Sequence, residues 1–456
     1  MSQTTLTASV AAAPSRLSDA RWRGLTLALV LNVTFVAFEA LAIATVMPLV
    51  AADLGGLELY GWVFSAFLLA DLVGIVVAGE MADRFGPAVP FAAGLALFAA
   101  GLLVGGLAPS MPVLVAARAV QGFGAGTIPA VAYVVIGRTY PDALRPRMFA
   151  VLATAWVVPG IAGPALAAVV AQQLSWRWVF LGLLPLVLVA GGFALRQLRR
   201  MVPQTGRASR HVVPDALAVA GGAALFLGGL QSLHPLLTPA LIAAGLVLGV
   251  PAFLRLVPEG TLRATGPLQA AVLVRGFLTF AFFAADVYVP LTITVLRGEG
   301  IVLSGIALTA GTVAWTSGAW IQERAVLRVG AMPLVRNGFV LLAAGILGMV
   351  VVLVALVPAW IAIVAWGVAG LGIGMAYSSI SLTVLRHAPS GSEGATASAM
   401  QLSDALGTAL GTGIGAVAVA IAVSSFGTPF DGVAIADVLA AASAVAGVVV
   451  AGRVRA

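Results

Sequence analysis

Lysine and cysteine are both absent from this chain of 456 residues, and charge of any kind is scarce, at 9%. The lack of cysteine excludes a disulfide framework and thiol chemistry. A soluble domain carries about 25% charged residues, so the shortage of charge excludes an ordinary soluble fold. No nucleophile–base pair, metal set, phosphate-binding loop or nucleotide-binding signature can be read. That argues against an enzyme, against an ATP-driven pump, and against a bound cofactor or metal. The three histidines, His211, His234 and His387, fall at helix ends or in loops, without metal-ligand spacing. Met1 to Asp19 lacks an apolar core ahead of a small-residue cleavage site. It reads as a disordered cytoplasmic lead, extended to residue 23, and not as a cleaved signal.

What is present is apolar. Hydrophobic residues make up 61% of the chain, and its mean hydropathy is +1.09. A helix needs about 20 apolar residues to cross the hydrocarbon. That length predicts spans at 24–50, 60–80, 88–107, 111–137, 147–170 and 177–196, forming a first six-helix bundle over 24–196. A basic linker, 197–213, carries Arg199, Arg200, Arg207 and Arg210. Spans at 214–232 and 239–256 form a two-helix insert within 214–267. Six more, at 268–296, 303–322, 336–357, 359–385, 394–424 and 433–452, form a second bundle over 268–456. The expectation is an all-α polytopic membrane protein of fourteen spans.

An internal duplication supports the same plan. Gly122, Gly124, Gly126, Arg138 and Pro141 return as Gly370, Gly372, Gly374, Arg386 and Pro389, each 248 positions on. Arg118 and Gln121 do not return; Trp366 and Ala369 stand in their places. The arginines give the orientation. With the N-terminus inside, Arg84, Arg138, Arg145, Arg147, Arg255, Arg263, Arg324, Arg328 and Arg386 fall on one face together with the basic linker, and Arg177 and Arg297 on the other. Arginine excess marks cytoplasmic loops, which places both termini in the cytoplasm. The basic balance of the chain therefore speaks for bilayer orientation and not for nucleic acid.

Four stretches carry recognisable chemistry. Gly79-Glu-Met-Ala-Asp83-Arg84-Phe-Gly86 joins the second and third spans. Its glycines allow close helix approach, and Asp83 and Arg84 can pair across a loop or meet a helix N-terminus. Arg118, Gln121, Gly122 and Gly126 mark the fourth span, and Pro159, Gly160, Gly163 and Pro164 make a kinkable stretch in the fifth. Ser175-Trp176-Arg177-Trp178 reads as an aromatic belt at the outer interface. Together these stretches resemble the major facilitator superfamily, and within it the fourteen-span drug/proton antiporter branch. The resemblance covers nearly the whole chain. It departs at Pro87, where a basic residue usually follows the loop motif, and at Pro159, Ala167 and Ala168, where the fifth-helix motif usually has glycines. It implies two six-helix bundles around a central cavity that opens alternately to each side, which agrees with carriers built from two parallel halves.

Ionisable groups inside a bilayer are costly and usually functional. The candidates for proton coupling are Glu39, Asp71, Asp286 and Asp404, with Arg118 as a tuning partner. Rise per residue puts Glu39 about 21 Å above the start of its helix and Arg118 about 10 Å below the start of its own, so they can pair. Burial and a neighbouring cation act on a carboxyl group in opposite senses. Cargo that displaces the arginine would therefore change proton occupancy. Arg275 lies close enough to the cytoplasmic face to snorkel, and Glu393, Asp431 and Asp437 read as interfacial charges. The expected cavity lining is Asn32, Phe35, Gln121, Tyr133 and Phe282, with Tyr288, Trp315, Tyr377 and Gln401; Trp62 and Phe67 lie near it.

The functional expectation is a monomeric, proton-coupled exporter of hydrophobic or amphiphilic cargo, neutral or cationic, in the bacterial plasma membrane. The alternatives are a proton-coupled carrier of a specific metabolite or lipid, and a non-transporting sensor of the same fold.

Overall fold

The computed structural model describes residues 17–55, 59–201, 212–232, 236–426 and 428–454. Most of the expected N-terminal lead lies outside the described residues. So does most of the basic linker, with Arg207, Arg210 and His211, and so does His234.

Every described element is helical. The first six spans are built from α1 (Ala20–Leu54), α2 (Tyr60–Phe85), α3 (Ala88–Gly106), α4 (Met111–Thr139), α5 (Arg145–Thr154) with α6 (Val157–Gln173), and α7 (Arg177–Leu181) with α8 (Leu183–Leu198). A hairpin follows, α9 (Val212–Ser232) and α10 (Leu237–Leu256). The last six spans are α11 (Pro267–Asp286) with α12 (Val289–Leu291), then α13 (Ile301–Val329), α14 (Ala331–Val352), α15 (Ile361–His387), α16 (Glu393–Phe426) and α17 (Phe430–Ala451). Fourteen stretches of the described chain are long and apolar enough to cross a membrane, in the order the sequence predicts.

Three expected spans are broken, and proline accounts for each break. Proline has no N–H to give to the carbonyl four residues back, and its ring clashes with that carbonyl. Pro159 stands four residues after Ala155, between α5 and α6. Pro185 stands four after Leu181, the last residue of α7. Pro290 stands four after Asp286, the last residue of α11, and a π-helical turn, Thr292–Leu296, follows it. Irregular backbone at membrane depth is tolerated where it is buried in protein or lines a cavity.

The duplicated glycines do the same work in both halves. A Cβ at Gly122 or Gly126 would run into the α2 backbone at Phe67 or Asp71, and one at Gly124 into α3 at Phe98. In the second half, a Cβ at Gly370 or Gly374 would run into the α13 backbone at Gly311 or Trp315, and one at Gly372 into α14 at Gly338. Each fourth helix thus lies against the second and third of its own bundle, and any side chain at these positions would push them apart.

The hairpin packs on the seam between the halves. Ala216, Val219 and Ala220 of α9 and Ala252 of α10 share one apolar cluster with Leu72, Val73 and Val76 of α2 and Leu402 of α16. An Arg255–Asp215 ion pair of 2.8 Å ties its two strands of helix together near the arginine-rich face. Leu246, Val247 and Leu248 of α10 are exposed, as lipid-facing residues must be.

Candidate functional site

In the first half, α1 and α4 bury an acid against an arginine. Glu39 is fully buried and Arg118 is 3% exposed. Glu39 Oε1 accepts from Arg118 Nη1 and, at 3.0 Å, from Gln121 Nε2. Arg118 Nη1 also donates to Gln121 Oε1 at 2.7 Å, and Nε donates to the Val63 carbonyl at 3.3 Å. The Phe67 ring lies over the guanidinium at 4.1 Å. Glu39 Oε2 is buried with no hydrogen-bond partner. The pairing that helix rise allows is therefore present, and the second carboxyl oxygen is left without a partner.

The second half holds a different cluster, between α11, α15 and α16. Arg275 Nε donates to Asp404 Oδ1 at 2.9 Å, and Nη1 donates to the Tyr377 carbonyl at 2.9 Å and to Ser381 Oγ at 3.2 Å. The Tyr377 hydroxyl donates to Asp404 Oδ2 at 3.1 Å, and Thr279 donates to the Asp404 carbonyl at 2.9 Å. Arg275 is fully buried, so it does not snorkel. Its cation is drawn inward by Asp404, 129 positions away and invisible to spacing arguments. Asp71 of α2 lies near enough to Asp404 for the two charges to interact across the seam, and Tyr133 of α4 lies within reach of the Tyr377 hydroxyl.

The expected aromatic lining separates into groups. Phe282 meets Trp315 at 5.2 Å and Trp366 at 4.9 Å, and Trp315 meets Tyr377 at 5.4 Å. Tyr133 packs on Phe149 as well as reaching Tyr377, and Phe35 is half-buried. Gln121 belongs to the Glu39 cluster, and Gln401 is buried with its amide nitrogen unpartnered. Two residues leave the expected set. Asn32 donates to the carbonyls of Ala28 and, at 3.1 Å, Ala190, pinning α1 to α8. It sits two helical turns, about 10 Å, from Glu39, where α8 and not α4 is the neighbour. Tyr288 packs with Leu353, Val433 and Ala436, away from the other rings.

The loop motif closes one end of the seam. Asp83 pairs with Arg138 of α4, and its carboxylate accepts the backbone N–H groups of Gly394 and Ala395 at 2.7 and 2.8 Å. Those N–H groups belong to the first turn of α16, so an acid from one half caps a helix of the other. Ser398 donates to the Ile75 carbonyl at 2.8 Å, and Arg138 reaches Glu393 at 3.4 Å. Glu393 is therefore part of this latch and not a plain interfacial charge. Gly79 and Gly394 face each other so closely that a Cβ on either would strike the other's carbonyl. Arg84 lies over Phe85 at 4.8 Å, and Gly86 takes φ 80° at the end of α2. In the fifth span, Gly163 faces Phe38 and Leu41 of α1, while Gly160 faces Thr312 of α13.

Elsewhere Asp437 is 2% exposed, not interfacial, because α17 turns that face inward. At the opposite face, Trp178 is exposed, as a belt residue should be, but Trp176 is buried. Asp53 accepts from Arg177 at 2.7 Å and from the Trp176 indole at 3.0 Å. The Arg177 bond, then the indole, holds the Asp53 carboxyl below the usual carboxylate range. His387 contacts the Thr383 carbonyl of its own helix. Among the described residues no group of three or more His, Cys, Asp or Glu side chains is placed to hold a metal ion.

The model of the Major Facilitator Superfamily matches residues 27–412. "Multidrug transporter protein MdtP" of Bacillus subtilis (strain 168) is 25% identical over 334 residues, covering 70% of this chain and 61% of that protein. "Probable multidrug-efflux transporter Rv1634" of Mycobacterium tuberculosis (strain ATCC 25618 / H37Rv) is 29% identical over 407 residues, covering 83% of each. Among solved structures, the human organic anion transporter MFSD10 superposes with a TM-score of 0.69 at 14% identity, covering 94% of this chain and 99% of that one. The proton:xylose symporter XylE does so with a TM-score of 0.66 at 15% identity, covering 92% and 94%. At such identities the structural likeness speaks for the fold alone.

Proposed function

The chain belongs to the major facilitator superfamily and is a multi-pass membrane transporter, not an enzyme; from that premise we propose that it exports hydrophobic or amphiphilic drug-like compounds across the cell membrane in exchange for protons. The observation that carries the reading is Glu39. It is fully buried, one carboxyl oxygen is shared by Arg118 and Gln121, and the other is free. Breaking a buried ion pair from one side leaves an uncompensated charge. A proton arriving on Glu39 does that to Arg118, whereas a cationic cargo beside the pair supplies a positive charge that favours the ionised Glu39. Proton and cargo then act on the same pair in opposite directions, which is the requirement for exchange. The multidrug relatives support the cargo class.

The arginine excess makes the latched face cytoplasmic. Asp83, Arg138, Gly394 and Ala395 hold the halves together there, which corresponds to the outward-facing state. Release of cargo and uptake of a proton belong to this state, and the reverse exchange follows once the latch opens.

The test is purified protein in liposomes with an imposed pH gradient, inside acidic, and a pH-sensitive dye. Addition of a transported compound such as ethidium dissipates the gradient faster than in protein-free liposomes. A rate equal to that of protein-free liposomes for every compound in a panel of transported substrates overturns proton exchange.

A further inference from the structure

Three helix ends come together at the arginine-rich face, outside the two buried clusters. α10 ends at Leu256, α11 begins at Pro267 and α17 ends at Ala451. The connection from α10 to α11 turns back through Ala264, which takes φ 48°. That left-handed region is unfavourable for a residue with a Cβ, and among the described residues Ala264 is the one non-glycine in it. Arg453, just past α17, donates from Nη1 to the Arg263 carbonyl at 2.5 Å. The end of the second bundle is thereby tied to the end of the insert.

Around that contact lies a recess of about 420 Å³, lined by Arg263, Ala264, Gly266, Pro267 and Arg453. Both arginines are exposed, and among the described residues neither pairs with a carboxylate. Arg255, at the same end of the insert, differs: Asp215 neutralises it at 2.8 Å. α11 starts at the recess with no side chain capping it, and a helix N-terminus is the positive end of the dipole. Two uncompensated guanidinium groups beside such an end call for an anion, and the planar fork of arginine suits a phosphate.

The surroundings say which anion. The recess lies level with the ends of three spans, where lipid headgroups lie. Leu262, next to Arg263, is exposed, and so is Leu254 in the last turn of α10. A soluble anion would use the charge alone, whereas a phospholipid uses the charge and the apolar surface together. Basic recesses between spans suit anionic headgroups.

We propose that Arg263 and Arg453 hold the phosphodiester of an anionic phospholipid from the leaflet on the arginine-rich side, with its acyl chains beside α10. The lipid clamps the insert to the second bundle. The site is separate from the cargo path and stands whether or not the chain exchanges protons.

The experiment is native mass spectrometry of the purified, delipidated full-length protein in detergent, titrated with dioleoyl-phosphatidylglycerol. The double variant Arg263→Gln/Arg453→Gln should raise the Kd of the first bound lipid by about tenfold or more, with an unchanged gel-filtration profile. Arg263→Gln alone leaves the Arg453 bond to the backbone carbonyl of residue 263 in place, and should raise it about threefold or more. Dioleoyl-phosphatidylcholine, with the same chains and no net charge, should bind wild type and variants alike. Arg324→Gln/Arg328→Gln removes as many charges from exposed positions at the end of α13, on the same face but outside the recess. It should keep the wild-type Kd within about twofold. An unchanged Kd in the Arg263 variants overturns the proposal. So does an equal loss in Arg324→Gln/Arg328→Gln, which would mean attraction to the charged face at large. So does displacement of the lipid by millimolar inorganic phosphate, which would make the recess a site for a soluble anion.

Discussion

Replacing Glu39 by glutamine should abolish proton-driven export while leaving the protein folded and able to bind cargo. Glutamine has the shape of the acid, and its oxygen can still accept from Arg118 and Gln121. It cannot take up or release a proton. The buried pair becomes a cation with neutral partners, held by the Val63 carbonyl and the Phe67 face. In liposomes the gradient should then decay at the rate of protein-free vesicles when substrate is added. Exchange of labelled for unlabelled substrate, which needs no net proton movement, should persist. Gradient decay at the wild-type rate in Glu39→Gln would remove this residue from the mechanism.

Replacing Gly394 by valine should force the Asp83 latch open. A Cβ at Gly394 falls inside contact distance of the Gly79 carbonyl and the Asp83 carboxylate. The α16 N-terminus must then withdraw, and Asp83 loses the N–H groups of Gly394 and Ala395. Hydrogen bonds to a charged group are worth about 1.5–3 kcal/mol each. Losing two shifts the balance of states by about a hundredfold or more. The absence of native cysteine makes this measurable. Leu385, buried where α15 meets Gly137 of α4, replaced by cysteine (Leu385→Cys), should react slowly with a membrane-impermeant maleimide in the latched protein. Adding Gly394→Val should speed the reaction at least about tenfold. Equal labelling rates in the two backgrounds would mean that the latch does not govern access.

Most of the architecture was legible because bilayer physics leaves few choices. A length of apolar chain sets each span. The repeated glycines were legible too, since close backbone approach admits almost nothing else. That Glu39 and Arg118 can pair was legible from the cost of charge in a bilayer and from helix rise. The capping of α16 by Asp83 was one of two outcomes the loop motif allowed. What escaped was set by partners distant in sequence. Arg275 looked like a snorkelling residue because nothing near it in the chain shows that Asp404 arrives from α16. Asp437 looked interfacial because its depth was legible and its facing was not. Asn32 shares a helical stripe with Glu39, yet two turns along the helix the neighbour is a different helix. The three helix breaks had a readable signal in Pro159, Pro185 and Pro290, each four residues beyond the carbonyl it leaves without a donor. The contact of Asp286 with Trp366 escaped as well, because the offset that carries Arg118 onto Trp366 carries Glu39 onto Val287, one residue past Asp286.

The central claim is that cargo and proton exclude each other at Glu39. The most direct measurement adds tetraphenylphosphonium to the purified protein in weakly buffered detergent and records the pH. The account predicts release of about one proton per cation bound, and none from Glu39→Gln under the same conditions. Saturating cation binding to the wild type with no proton released would contradict it.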